Sequence, residues 1–167
     1  TKDGDFLELT PDEMHQRMAV EFGRIEKKYQ VGEKKGEGLS DYGKNRQFLS
    51  EKAIFNLFKD FKYIIPQGSV MSSLGNNNVI ASLSNCVVVP PVYDSYGGIF
   101  YTDQQLAQLF KRRCGVGVDL SNLRPGGAQV SNAAGTTTGA VSFLNRFSNT
   151  TREVAQNGRR GALMLTM

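Results

Sequence analysis

The stretch Val79–Val89, "VIASLSNCVVV", decides the fold class. It is β-branched at both ends, apolar through its last part, and stopped by Pro90 and Pro91, which is the pattern of a strand. An almost unbroken apolar end predicts burial on both faces, as in a parallel sheet. Parallel neighbours need crossover segments, and the chain downstream supplies them. "YTDQQLAQLFKRRCG" (101–115) reads as a helix with Thr102 as N-cap, Gln105 closing a capping box, Leu106, Leu109 and Phe110 on one face, and Gly115 beyond the end. "VGVDL" (116–120) is a short strand, followed by the polar, glycine-rich loop "SNLRPGGAQVSNAAGTTTG" (121–139). A helix from about Ala140 to Gln156 carries Leu144, Phe147, Thr151 and Val154 at a spacing that suits packing along another helix. Ala162–Leu165 then forms a third strand-like run that reaches the end of the sequence. Strand, helix, strand, helix, strand is the alternation of an α/β sheet or barrel, and three strands complete neither. Further structure is expected to cover the last one.

Upstream of Val79 the grammar is helical. "LTPDEM" (9–14) combines Thr10 as N-cap, Pro11 at the first helical position and Glu13 in a capping box, and Met14, Met18, Phe22 and Ile25 form one stripe to about Tyr29. Residues 31–45 are charged, glycine-rich and aperiodic, so they read as a surface loop. Ser50 caps a second helix whose face is Ile54, Phe55, Leu57, Phe58 and Phe61. The expected organisation is a helical module over 1–66 and an α/β portion over 67–167.

Composition narrows the function classes. Forty per cent hydrophobic residues against 22% charged excludes wholesale disorder. A net charge of +4 suits phosphate-bearing partners without singling out nucleic acid. No apolar run approaches the roughly 18 residues of a membrane helix, which points to a soluble protein with no membrane partner. Two cysteines without a secretory leader point to a reducing cytoplasm. His15, the only histidine, sits on an amphipathic surface helix, so neither a His/Cys metal site nor a Ser-His-Asp arrangement can be assembled. "CGVGVDLSNLRPGG" (114–127) resembles a dinucleotide fingerprint only superficially. Its glycines follow a helix, and Leu120 stands where the third glycine belongs. By composition alone Cys86 and Cys114 are small buried hydrophobes. Arg124, Arg159 and Arg160 lie near glycines, where bare N–H groups and guanidinium forks can converge on phosphate oxygens.

The motifs "LSNC" (83–86), "RRCGVGVDLSNLRPGGAQV" (112–130) and "GAVSFLNRFSNTTREVAQNGRRGALML" (139–165), with "TPDEMHQRM" (10–18) and "FKYIIPQGSVM" (61–71), closely resemble the catalytic subunit of ribonucleotide reductases. The likeness covers nearly all of the chain except the loop near 31–48. It is most like the adenosylcobalamin-dependent class II, although class I subunits are similar enough to fit. The resemblance implies an α/β fold in which a helical module precedes the first strands and helices of a ten-stranded barrel. It implies that Cys86 supplies one of two electrons to the ribose and becomes half of a disulfide, later reduced by a thioredoxin-type protein. Ser69, Ser84 and Asn85 correspond to ribonucleotide-binding positions. Asp94 and Ser95 correspond to contacts with the ribose of a deoxynucleotide or ATP effector, Arg124 to a triphosphate contact, and Gln156 and Arg160 to a loop between effector and substrate. The helices near 102–114 and 140–156 correspond to a homodimer interface. The family's finger loop with its thiyl-radical cysteine and its second redox cysteine have no counterpart, so a C-terminal portion is an expected partner and this polypeptide alone is expected to be inactive. Two other classes stay open: a non-catalytic module that binds deoxynucleoside triphosphates, and a basic nucleic-acid-binding domain. The second lacks the aromatic-rich exposed strand of an RNA-binding sheet.

Overall fold

The computed structural model describes residues 4–31, 37–154 and 161–167. The chain divides into two compact units, 1–80 and 81–167.

The first unit is helical: α1 (Pro11–Val31), α2 (Asp41–Asn45), α3 (Glu51–Phe58) with a 3₁₀ turn over Lys59–Phe61, and α4 (Gly68–Ser73). The predicted capping box opens α1. Glu13 N donates to Thr10 Oγ1 at 3.3 Å and Thr10 N to Glu13 Oε2 at 3.1 Å, so two otherwise orphaned donors are satisfied. Ser50 caps α3 through Ala53 N at 3.2 Å, also as expected. Met18, Ala19, Ile54, Phe58 and Leu74 form the core, with Met14 and Phe22 packed against it. α4 belongs to this unit because the Arg17 guanidinium, paired with Glu8, donates to the carbonyls of Met71 and Leu74.

Two expectations are corrected here. Within the stretch read as loop, Ser40 accepts from Gly43 N at 3.2 Å and starts the short α2. His15 is not on a surface: it is fully buried, stacked on Phe58 with centroids 6.1 Å apart and edge-on to Phe61 at 4.7 Å. The apolar stripe of α1 is wider than its methionines suggested, and the imidazole serves as one of its rings.

The second unit is a three-stranded parallel sheet in the order β1 (Cys86–Val88), β2 (Gly115–Asp119), β3 (Leu163–Thr166), crossed over by α5 (Tyr96–Phe110) and α6 (Ala140–Glu153). The register places Val87 beside Val116 and Val116 beside Leu163, so these residues share the face that the helices cover. Val116, Val118, Leu106, Phe110 and Phe147 are buried there, with Leu163 and Leu165 packed against them. The opposite face carries Cys86, Val88, the glycines of β2 and Met164, and Val88 is 83% exposed.

The parallel sheet is therefore as expected, but β1 is three residues long and, among the described residues, covered on one face only. Upstream of it the backbone bonds to the end of α5 instead, with Ser82 N donating to Arg112 O at 2.8 Å. α5 also starts earlier than Thr102. Its N-cap is Ser95, whose Oγ accepts from Gly98 N at 3.1 Å, while Thr102 is buried and returns its hydroxyl to Gly98 O at 3.1 Å. At the other end Arg113 takes the left-handed position (φ 64°), with Arg113 N bonding Phe110 O at 2.9 Å and Cys114 N bonding Leu109 O at 3.3 Å. Gly115 lies beyond the helix end, as read, and is the first residue of β2. α6 starts at Ala140 as predicted and ends at Glu153; the expected extension to Gln156 lies outside the described residues.

Candidate functional site

The first candidate centre is the thiol of Cys86 at the start of β1. The side chain is exposed on the open face of the sheet. Its register partner is Gly115, where a Cβ would stand 3.2 Å from the sulfur and 3.4 Å from the Ala162 side chain. The absence of a side chain on β2 thus leaves the sulfur accessible above a floor of small residues. Ser84 and Asn85 lead into it through a tight turn. Ser82 Oγ accepts from Ser84 N and donates to Ser84 O, both at 3.0 Å, and Asn85 O accepts from Gly115 N at 2.7 Å. Ser69 lies in the opening turn of α4, in the other unit.

Cys114 differs in every respect. It is 1% exposed, its thiol donates to Gly115 O at 3.4 Å, and burial pushes its pKa up because a thiolate there would be poorly solvated. The structure agrees with the reading of Cys114 as a buried hydrophobe, and places Cys86 outside that class.

The second centre is a pocket of about 230 Å³ at the start of α5. Asp94, Ser95 and Arg124, three residues singled out from the sequence, meet in it. Arg124 Nε donates to Asp94 Oδ2 at 2.6 Å, and a second guanidinium nitrogen donates to Gln129 O at 3.0 Å. Ser131, Asn132 and Thr137 extend the polar side; Ile99, Val130 and Phe143 form the apolar wall, with Tyr96 edge-on to Phe143 at 6.3 Å. The loop folds back on itself through Gly127 N to Thr137 O (2.9 Å) and Thr137 N to Ala128 O (3.0 Å). Its base is pinned where Gly139 meets Gly126: a Cβ at Gly139 would lie 2.2 Å from Gly126 N.

Sequence reasoning did not identify Tyr96, Asn132, Thr137 or Phe143 as part of this site. Phe143 sits one residue before Leu144 on α6, and its helical stripe was the only signal it offered. Gln156 and Arg160 lie outside the described residues. Among the described residues no group of three or more His, Cys, Asp or Glu could hold a metal, and no helix is long and apolar enough to cross a membrane.

Comparison with known proteins gives a consistent picture. The family model described as "Ribonucleotide reductase, barrel domain" matches residues 84–167. A "Vitamin B12-dependent ribonucleoside-diphosphate reductase" of Mycobacterium tuberculosis (strain ATCC 25618 / H37Rv) is 32% identical over 126 residues, 75% of this chain and 17% of that protein. A "Ribonucleoside-diphosphate reductase large subunit" of Trypanosoma brucei brucei is 35% identical over 85 residues, 50% of this chain and 10% of the relative. A large chain of the same reductase from Saccharomyces cerevisiae is 34% identical over the same length. The chain thus spans at most 17% of the length of these relatives.

Proposed function

Since the chain belongs to the ribonucleotide reductase barrel-domain family, we propose that it contributes a reducing thiol and most of an allosteric nucleotide site to a ribonucleotide reductase. The observation that carries this is the placement of Cys86: an exposed thiol on the open face of a parallel sheet, with no side chain opposite it on β2. In the reaction, two thiols each give a hydrogen to the substrate. The ribose 2′-oxygen leaves as water, C2′ gains hydrogen, and the two sulfurs join as a disulfide. Cys86 is one of those sulfurs. The other is supplied by the remainder of the enzyme, since Cys114 is buried among core residues. A thioredoxin-type reductant resets the pair. Ser84 and Asn85 hold the ribonucleotide, and the three strands are the start of a ten-stranded barrel.

The pocket at Asp94, Ser95 and Arg124 takes a deoxynucleoside triphosphate or ATP as effector. Its polar side suits phosphate and sugar, and its apolar wall suits a base. Gln156 and Arg160 carry the signal from effector to substrate. Tyr96, Phe100, Tyr101 and Val141 are 53%, 48%, 61% and 63% exposed on α5 and α6, an apolar surface that suits a homodimer contact through these helices.

The mycobacterial relative is named for vitamin B12, and the other two are not. The adenosylcobalamin that the class II resemblance implies would be held mainly outside this chain. The chemistry assigned to this chain is that of its own thiol and pocket. Mixing the chain with the rest of the subunit is expected to give nucleotide reduction, and Cys86→Ser is expected to abolish multiple turnovers. Sustained turnover by that variant would overturn the assignment.

A further inference from the structure

We propose that His15 is an acid-sensitive latch of the helical unit: its neutral ring holds the strained turn after α3 closed, and a proton on the ring releases that turn.

His15 is fully buried, and neither Nδ1 nor Nε2 has a hydrogen-bond partner among the described residues. Buried polar groups are normally paired, so this imidazole carries a desolvation cost that a phenyl ring in its place would not. What it touches is aromatic. Phe58 of α3 stacks on it at 6.1 Å, and Phe61 of the turn meets it edge-on at 4.7 Å. The turn itself is strained, because Asp60 and Phe61 stand side by side at φ 57° and 53°, a left-handed pair without glycine. Such backbone persists only where its surroundings hold it, and the packing of Phe61 on His15 is one such hold. The turn also joins two walls of an apolar cavity of about 410 Å³, with Leu57 and Phe58 before it and Ile64 and Pro66 after it.

A proton on His15 would place a charge in this site without an acceptor. Asp12 Oδ1 is 3.8 Å from Nδ1, beyond hydrogen-bond reach, and its side chain is 58% exposed, so water screens it. Elsewhere on α1, Arg17 is paired with Glu8. On α3 the charged groups are Glu51, paired with Lys27 at 2.8 Å, and Lys52; on the turn they are Lys59, Asp60 and Lys62. Among the described residues only Asp12 comes within ion-pair distance of the ring. The charged ring is accommodated by turning toward solvent, which withdraws the support of Phe61. The closed turn thus excludes the protonated ring, and the open turn accepts it near the ordinary histidine value of about 6.5. Closure is therefore complete above about pH 7.5 and weakens about tenfold for each pH unit below about 6.5.

Amide hydrogen exchange of the full chain reads this at two bonds that close the turn, Lys62 N to Lys59 O at 3.2 Å and Ile64 N to Leu57 O at 3.0 Å. Protection factors there, corrected for the intrinsic pH dependence of exchange, are expected to fall about tenfold in the native chain between about pH 7.5 and about pH 5.5. In His15→Phe, which keeps a ring but takes up no proton, they are expected to change by less than about twofold. If His15→Phe melts below the native chain, His15→Leu carries the same comparison. Unchanged or higher protection at the acid end in the native chain would mean that Asp12 accommodates the charge, and would overturn the latch. An equal fall in the variants would overturn it as well, because the acid sensitivity would then belong to carboxylates.

Discussion

Replacing Gly139 by alanine tests how the pocket loop is held. Gly139 has φ 84° and ψ 176°, a region that side-chain-bearing residues hardly enter, and this costs about 1–3 kcal/mol. The new methyl group would also stand 2.2 Å from Gly126 N, 2.5 Å from Gly126 Cα and 2.9 Å from Pro125 C, all backbone atoms that cannot turn aside. Forcing the two strands of the loop apart adds about 1–3 kcal/mol, as for an overfilled core. Gly127 provides the control, because it also has positive φ (80°) but has nothing within 4 Å of its Cβ position. Gly127→Ala therefore costs the torsional part alone, about 1–2 kcal/mol. For a unit of this size each kcal/mol shifts the melting point by about 4–8 °C. Gly139→Ala should therefore melt about 5–20 °C below Gly127→Ala and lose nucleotide-induced stabilisation, because Arg124 sits on the displaced segment. Thermal unfolding followed by circular dichroism, with and without nucleotide, reads both effects. Equal melting points for the two variants would refute the claim that this backbone contact pins the loop.

Thiol labelling of the native chain should modify Cys86 rapidly and leave Cys114 untouched until denaturant is added; equal rates by mass spectrometry would contradict the assigned burial. The raised pKa of Cys114 also gives stability a pH dependence. The unfolded thiol ionises first, so the contribution is complete below about pH 8.5 and is lost as pH rises through the folded pKa, and Cys114→Ala should flatten that slope in alkaline melts. Asp119 is held below the usual carboxylate range chiefly by the hydroxyl and amide of Ser121, so Ser121→Ala should raise its midpoint in a carboxyl NMR titration. Arg113→Gly should stabilise the chain by about 1 kcal/mol by removing a side chain from a left-handed helix end, readable as a higher urea midpoint.

What the sequence revealed depended on how local the determinant was. The starts of α1 and α3 were legible because each is set by a hydroxyl and an amide three residues apart. The start of α5 was misread for a related reason: Thr102 and Gln105 reproduce the cap spacing inside a helix, while the true cap, Ser95, is followed by Gly97 and Gly98, which read as loop. Gly98 belongs there because a Cβ would strike Tyr93 O at 2.5 Å, a contact no periodicity reveals. The run Cys86–Val89 announced a parallel strand, yet which face is open depends on glycines in β2, far away in sequence. His15 was placed on a surface because the aromatic residues that bury it come from α3 and the turn after it. Family resemblance singles out Asp94 and Arg124 separately, but their ion pair spans 30 residues and only the fold brings it together.

The proposed role of Cys86 is that of a reductant spent in each turnover. Its most direct test is a single-turnover reaction of the assembled reductase without external reductant, quenched with a thiol-blocking reagent and followed by peptide mass spectrometry. Cys86 is expected to be free before the reaction and disulfide-linked afterwards, with one disulfide for each deoxynucleotide formed. Deoxynucleotide formation with Cys86 still recovered as a blocked free thiol would contradict it.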